Sequence, residues 1–349
     1  MAKKKILLLS MGGTIFSIIE NNVVRVAENV TELVSRVPRI KEIADLSLEM
    51  VTNLDSSNVG VAEWLQLLTR ILDRYADYDA FVVAHGTNTM AYTATAISFG
   101  LGPNLTKPVI FTGSQLPLSA YGDDARFNLE HSVRTAVMAS QKNIAEVMVC
   151  FHELVLRGSR TLKVSESDFR AFNSPAYEPV ARIDANGITF ASHAKRKSTT
   201  SFAPNRNVQF DNQVLCVDLT PGLNPVMLDQ LIDSGNIKGF VIKSFGAGAV
   251  PDQGEMSFIP FIKRSTARQV PVVVATKFLG GSSFKETNDE PAVRALEAGV
   301  ISSRDMTDVA AQVKLMYLIA QGLDYAQIAA EFPKSYVGEV TPPTSSDVK

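Results

Sequence analysis

The feature that most constrains this chain is a series of short, unbroken apolar runs rich in Val, Ile and Leu, at residues 6–9, 81–84, 109–111, 147–151, 214–217, 240–242 and 272–275. An alternating run marks a strand with one wet face. A continuous run marks a strand covered on both faces, as in parallel sheets. Between these runs lie longer segments of helical period. Residues 61–75 place Trp64, Leu65, Leu67, Leu68, Ile71 and Leu72 on one broad stripe, and residues 124–138, 225–235, 292–299 and 306–322 read the same way. This alternation predicts an α/β chain with a mostly parallel sheet and right-handed crossovers.

The rhythm breaks once. From Asp184 to Asn212 the chain is polar, with Lys195-Arg196-Lys197 among serines and threonines and then Pro204-Asn-Arg-Asn207. This predicts a small hairpin and a linker, and it divides the chain into an N-terminal α/β domain at 1–195, a linker at 196–213, a C-terminal α/β domain at 214–340 and a disordered tail at 341–349. The 349 residues suffice for two such domains. With a net charge of -2 no global field draws in nucleic acid, so the basic run reads as a solvated loop. Cys150 and Cys216 lie in apolar runs and read as buried free thiols of a reducing compartment. The four histidines are scattered and make no zinc spacing. No apolar stretch suits a membrane span or a signal sequence. A cytoplasmic protein is expected, with neither nucleic acid nor membrane as partner and no metal.

Two strand ends are built alike. Residues 6–9 run into Met11-Gly12-Gly13-Thr14, and residues 81–84 run into His85-Gly86-Thr87-Asn88-Thr89, followed by a helical pattern at 89–101. The carboxyl ends of parallel strands, with the free N–H groups of a following helix, are where open α/β sheets bind ligands. Two glycine–threonine loops there suggest one site made of two loops. Taken singly, each residue has a plainer reading. Thr14 fits a tight turn or a nucleophile on an uncrowded backbone. His85 fits a packed side chain that hydrogen-bonds the backbone. Thr87 and Asn88 fit helix caps or ligands of an acyl oxygen or carboxylate. Asp55-Ser56-Ser57-Asn58 fits a polar turn, and spacing alone gives Lys163 no privilege. Phe245-Gly-Ala-Gly-Ala249 lacks the third glycine of a dinucleotide fingerprint, and no phosphate loop or Gly-x-Ser-x-Gly elbow occurs.

In combination the motifs are specific. Met11-Gly-Gly-Thr-Ile15, Asp55-Ser-Ser57, His85-Gly-Thr87 with Thr89-Met90, Phe111-Thr-Gly-Ser-Gln-Leu-Pro117, Arg160-Thr-Leu-Lys163, Pro221-Gly-Leu223, Gly246-Ala-Gly248 and Ala298-Gly-Val-Ile301 with Asp305-Met-Thr307 occur in that order. With them the chain resembles the bacterial-type L-asparaginase family, in its cytoplasmic and archaeal branch, from the first strand to about Tyr317. The resemblance implies a two-domain fold with a larger N-terminal and a smaller C-terminal α/β domain, assembled as a homodimer or homotetramer. It implies hydrolysis of a small-molecule side-chain amide to carboxylate and ammonia, with no metal or organic cofactor. By the same likeness Thr14 is the nucleophile and Thr87 and Lys163 are the activating pair. Ser56, Ser57 and Asn88 contact the substrate, and backbone groups at Gly13 and Gly86 line the site, with N–H groups around Gly86 and Thr87 receiving the oxyanion.

Three positions depart from the family's pattern. Asn88 stands where the resemblance places an aspartate that meets the substrate's α-ammonium and pairs with the lysine. Asn58 stands for a second aspartate. No tyrosine follows Thr14 before Pro38; Val23 or Val24 lies nearest its place, in a lid implied at 18–27. Losing one partner of a buried ion pair typically costs about 3–5 kcal/mol, so a substrate without a free α-ammonium is the expected alternative to free asparagine. Without a carboxylate beside it, the Lys163 ammonium is expected to titrate lower and to act as base. An amidase or lactamase for another small substrate, and a catalytically silent protein that binds a small amide or carboxylate, are the rival readings.

Overall fold

The computed structural model describes residues 2–20, 23–26, 35–284 and 289–342. They form two compact units, Met1–Ser174 with Glu178–Val208, and Pro175–Tyr177 with Gln209–Lys349. The first unit contains β1 (Lys5–Ser10), β2 (Ser17–Glu20), β3 (Val23–Val26), β4 (Asp45–Met50), β5 (Ala80–Ala84), β6 (Val109–Thr112), β7 (Val147–Phe151), β8 (Leu154–Arg157), β9 (Leu162–Lys163), β10 (Phe172–Asn173), β11 (Ala181–Asp184) and β12 (Gly187–Phe190). Its main sheet has the order β12-β11-β8-β7-β6-β5-β1-β4. The five strands from β4 to β7 are parallel, and β8, β11 and β12 add antiparallel partners at one side. This is the mostly parallel sheet expected from the unbroken apolar runs. Every residue of β5 is buried, as two-sided cover requires.

The register lines up one apolar row per face. Leu8, Val82, Ile110 and Met148 stand side by side and pack under Leu129, Val133 and Ala136 of the Ala125–Gln141 helix. The alternate residues, Leu7, Phe81, Val109 and Val147, point to the opposite face. There the Met90–Leu101 helix lies on β6 and β7, and Gly100 lets Leu68 of the Val61–Arg74 helix approach; a Cβ on Gly100 would lie 2.7 Å from the Leu68 Cδ2.

The crossovers do not all share one hand. The strand order steps the same way from β5 to β6 and from β6 to β7, yet the two connecting helices lie on opposite faces. The β6–β7 connection therefore has the opposite hand to its neighbour, contrary to the uniform right-handedness expected from the general rule. In the loop after β6, Asp124, at the head of the Ala125–Gln141 helix, accepts the N–H groups of Gln115 (2.9 Å) and Leu116 (2.9 Å) and so ties that loop to the helix.

The second unit contains β13 (Val214–Asp218), β14 (Gly239–Ser244), β15 (Val272–Thr276) and β16 (Ile301–Ser302), parallel and in that order. Phe240, Ile242, Val272 and Val274 form its core with Phe258, Phe261, Ile262 and Ala295. The Asp308–Ala320 helix starts two residues later than its apolar period suggests, because the Thr307 hydroxyl accepts the Ala310 N–H (3.0 Å) and caps it.

Three details refine the sequence reading. Cys150 is buried, and burial pushes its thiol up to about 11; Cys216 is only half-buried. The polar stretch read as a linker is held down: Phe202 stacks on Tyr75 at 4.0 Å and Arg206 pairs with Asp73 (2.8 Å), while the Asp211 N–H donates to the Met316 carbonyl (2.9 Å). Thr341, assigned to the tail, donates its N–H to Asp305 (3.0 Å); residues 343–349 lie outside the described residues.

Inside the second unit Lys314 and Glu339 form a fully buried ion pair at 2.6 Å, and Glu339 also accepts the N–H groups of Tyr336 (3.1 Å) and Val337 (2.8 Å). It thereby ties residues 336–339 to the Asp308–Ala320 helix. Glu339→Ala would take the only carboxylate bonded to the buried Lys314 ammonium among the described residues and leave it the Lys334 carbonyl. A loss of about 3–5 kcal/mol is expected in urea unfolding of this protein, and a loss below about 1 kcal/mol would show the pair to be incidental.

Candidate active site

The site is built at the carboxyl edge of the first unit's sheet. β1 and β5 are adjacent and in register, and the Met11 N–H continues the ladder onto the Ala84 carbonyl (2.9 Å). The two following loops are thus forced together. Gly12 and Gly13 both take positive φ, 92° and 91°. A Cβ on Gly13 would lie 2.4 Å from the Cα and the N of Gly86, and one on Gly12 would lie 2.5 Å from the Leu54 carbonyl oxygen. Only glycine fits either place. Thr14 follows at once, half-buried, as the first residue of a 3-10 turn, Thr14–Phe16.

A third loop joins from β4. Asp55 accepts the Ser57 N–H (2.8 Å) and starts the turn Ser56–Asn58. Ser56 is buried against Gly86, whose Cβ would lie 2.6 Å from the Ser56 Oγ. Thr89 fastens the two loops, its hydroxyl donating to the Ser56 carbonyl (2.6 Å).

The fourth part arrives from β9. At Gly158, where a Cβ would lie 3.1 Å from Val147 and 3.4 Å from Ala94, the chain turns against the Met90–Leu101 helix, and β9 then sets Lys163 beside Thr87 near that helix's start. The Lys163 ammonium donates to the Thr87 hydroxyl (2.9 Å) and to the Asn88 Oδ1 (2.9 Å), and the Asn88 Nδ2 donates to the Ser57 Oγ at a longer 3.4 Å. Burial pulls the Lys163 pKa below its ordinary value, and Glu166 opposes that shift. Thr87 is buried; Asn88 and Ser57 are exposed. The arrangement offers two hydroxyls, a lysine that titrates low and loop N–H groups at the edge of one sheet, the parts needed for covalent attack on a carbonyl.

The N-terminal asparaginase model matches residues 5–196, and the glutaminase/asparaginase C-terminal domain model matches residues 213–332. The chain belongs to the asparaginase family. It is an amidohydrolase of the L-asparaginase type. The L-asparaginase of Thermococcus kodakarensis is 31% identical over 97% of this chain and 99% of its own. The structure of that thermostable enzyme superposes with a TM-score of 0.87, covering 97% and 100% of the two chains at 30% identity. L-asparaginase 1 of Escherichia coli is 32% identical over 98% of this chain and 99% of its own. A glutamyl-tRNA(Gln) amidotransferase polypeptide of Methanobrevibacter smithii is 30% identical over 97% of this chain and 77% of its own. The expected two-domain asparaginase-like fold is the fold of this chain.

All eight residues singled out in the sequence belong to these loops. Thr87, Asn88 and Lys163 meet directly; Ser57 joins through Asn88, Ser56 and Gly13 through Gly86, and Thr14 through its bond to Gly13. His85 follows its plainer reading. It is fully buried, its Nδ1–H donates to the Gly86 carbonyl (2.7 Å) and its Nε2 accepts from the Thr93 hydroxyl (2.9 Å). The carbonyl can only accept, so the tautomer is set. Burial pulls this imidazole down to about 4.

Three residues that shape the site carry no role in the sequence reading. Thr89, there only part of a motif, is the fastener between two loops. Gly113 lets β6 close on the second loop; a Cβ there would lie 2.4 Å from the His85 carbonyl oxygen. Gln115 donates to the Asp168 carbonyl (3.2 Å) and steadies the loop after Lys163. A glycine two places past an apolar run is the available signal for Gly113. The implied lid at 18–27 contains a β2–β3 hairpin; residues 21, 22 and 27 lie outside the described residues, as do the side chains at Val23 and Val24.

Gly13→Ala is expected to force the Thr14 loop off Gly86. A displacement of about 1 Å can cost about 100-fold in rate, readable as ammonia release, with a loss of about 1–3 kcal/mol of stability from the strained φ. His85 gives a pH signature. Its folded pKa lies below its unfolded one, so the unfolded state binds the proton first, and stability present above pH 6.5 is lost as pH falls toward 4. The loss amounts to about 3 kcal/mol at full titration, and urea unfolding of His85→Gln should show a flatter profile over that range.

Proposed function

We propose that this protein hydrolyses a small side-chain amide, L-asparagine or a related amide, to carboxylate and ammonia, with Thr14 as nucleophile. The observation that carries the proposal is the Lys163 ammonium at 2.9 Å from the Thr87 hydroxyl, on the loop whose Gly86 abuts the backbone of Gly13, the residue before Thr14. The Thr14 hydroxyl adds to the amide carbon while its proton passes through Thr87 to neutral Lys163. N–H groups around Gly86 and Thr87 take the charge on the oxygen. The C–N bond breaks as the proton moves to nitrogen, ammonia leaves, and an ester to Thr14 remains. Water then adds under the same pair, releases the acid and restores the hydroxyl. Ser56 and Ser57 serve the substrate's distal carboxylate, Asn88 borders it, and the cytoplasm and a homodimer or homotetramer are the proposed setting.

The frame alone does not select the amide. It is shared by relatives named for asparagine and for glutamyl-tRNA(Gln), and function is set by the site grafted on a frame.

The low-titrating lysine makes the mechanism testable. A base must lose its proton before it can work, so kcat should rise with pH on a limb below the ordinary lysine range. Lys163→Met should abolish that limb and lower kcat by about 100-fold or more. Thr14→Ala should release no ammonia from a panel of amides while a ligand still raises the melting temperature. An unchanged pH profile in Lys163→Met would remove lysine from the base's role. Ligand stabilisation without turnover in the unaltered protein would favour a silent binder.

A further inference from the structure

The direction of the hydrogen bonds around Asn88 says what its ligand must offer. Lys163 carries donors and no acceptor when protonated, and when neutral its one lone pair is taken by the Thr87 hydroxyl, so in either form it presents a donor to Asn88. Its 2.9 Å contact therefore turns the Asn88 carbonyl oxygen toward the lysine, and the Asn88 NH2 points the other way, toward the Ser57 Oγ at 3.4 Å. The far end of this chain of bonds is set as well. Asp55 accepts the Ser57 N–H (2.8 Å), and that bond, aided by the Ser57 hydroxyl, holds the Asp55 carboxyl below its ordinary range. A donor-only group at one end and an acceptor-only group at the other leave one orientation for the amide between them. With the Ser57 hydroxyl donating to Asp55, flipping the amide would set NH2 against ammonium and its oxygen against the Ser57 lone pairs, losing both bonds.

The Asn88 amide thus has a second N–H free for a ligand, and Asn88 is exposed at the rim of the loop that holds Thr87. Asp55, exposed, accepts the Ser57 N–H through one carboxylate oxygen at the head of the Ser56–Asn58 turn. At this rim the Asn88 NH2 offers a ligand a donor, which favours an oxygen acceptor over an ammonium that brings only donors of its own.

Resting on the hydrolase reading of this site, we infer that its substrate is an ω-amide of a dicarboxylic acid with no free α-ammonium, bound with its distal carboxylate or a neutral acceptor against the Asn88 NH2. Succinamate carries the amide and the carboxylate of asparagine and lacks only the amino group. The inference therefore reduces to a comparison of two compounds.

The test has a kinetic and a binding arm. Ammonia release by the full-length protein is measured with succinamate and with L-asparagine. The expected kcat/KM favours succinamate by about tenfold to hundredfold, mostly in KM. Asn88→Asp restores an acceptor at the rim and should reverse the order. In the second arm, calorimetry compares the products succinate and L-aspartate with the unaltered protein, which needs neither turnover nor a variant. Succinate should bind more tightly by a similar factor. A preference for asparagine over succinamate, or for aspartate over succinate, overturns the inference. If neither amide yields ammonia while succinate still binds more tightly than aspartate, the hydrolase reading falls and the assignment of Asn88 as a donor to the ligand stands.

Discussion

The contact on which the site depends is made by backbone alone: Gly13 lying against Gly86 with no room for a side chain on either. It is the geometric consequence of two parallel strands, β1 and β5, that are neighbours in the sheet and leave it at the same level. Adjacent strands lie about 4.8 Å apart, so loops that leave them together meet at once unless side chains hold them apart. Glycine at both loops removes that obstacle, and the next residues, Thr14 and Thr87, are carried to one edge. In the proposed reaction, fixing a hydroxyl in place before any substrate arrives moves the entropic cost from the reaction to folding, where the two-sided burial of β1 and β5 offsets it.

Lysine delivery rests on a different kind of packing. The Met90–Leu101 helix is buried nearly all round, and two of its hydroxyls are satisfied within it, Thr95 on the Ala91 carbonyl (2.8 Å) and Ser98 on the Ala94 carbonyl (2.7 Å). Its first turn holds the second loop, and its side holds Gly158, so one rigid body positions both Thr87 and the strand that ends in Lys163. The connection of opposite hand between β6 and β7 supplies the remaining wall. A chain that crosses over the sheet's edge, rather than away from it, leaves Gly113 against His85 and Gln115 against the Lys163 loop.

How much of this the sequence reveals depends on whether the signal is local. The strands were legible because burial on both faces leaves an unbroken apolar run, and the helices because burial on one face leaves a stripe. The threonine loops were legible because a glycine after a strand has few other reasons to be there. His85 was readable as a packed residue, and its neighbours Gly86 and Thr93 are within eight positions of it. Lys163 was another matter. It lies 76 residues from Thr87, and nothing in Arg160-Thr-Leu-Lys163 distinguishes it by physics alone from a surface lysine; the family resemblance picked it out, and the geometry of Gly158 explains it. The hand of the β6–β7 connection was not legible, since a helix stripe shows that a face is buried but not which face of the sheet buries it.

The same division separates the buried frame of the candidate site from its exposed rim. Thr87, Ser56, Gly86 and His85 are buried and mutually constrained, so a change in any of them propagates through backbone that has no slack. Asn88 and Ser57 are exposed and contribute polarity rather than shape. Replacing a carboxylate by an amide at position 88 barely alters volume, yet it exchanges an anion for a neutral dipole next to an ammonium, and the lysine then determines which end of that dipole faces the ligand. On the proposed reading, a rim residue of this kind changes the charge asked of a ligand without disturbing the loops beneath it, because those loops are held by the Thr89 hydrogen bond and by the close approach of the glycines.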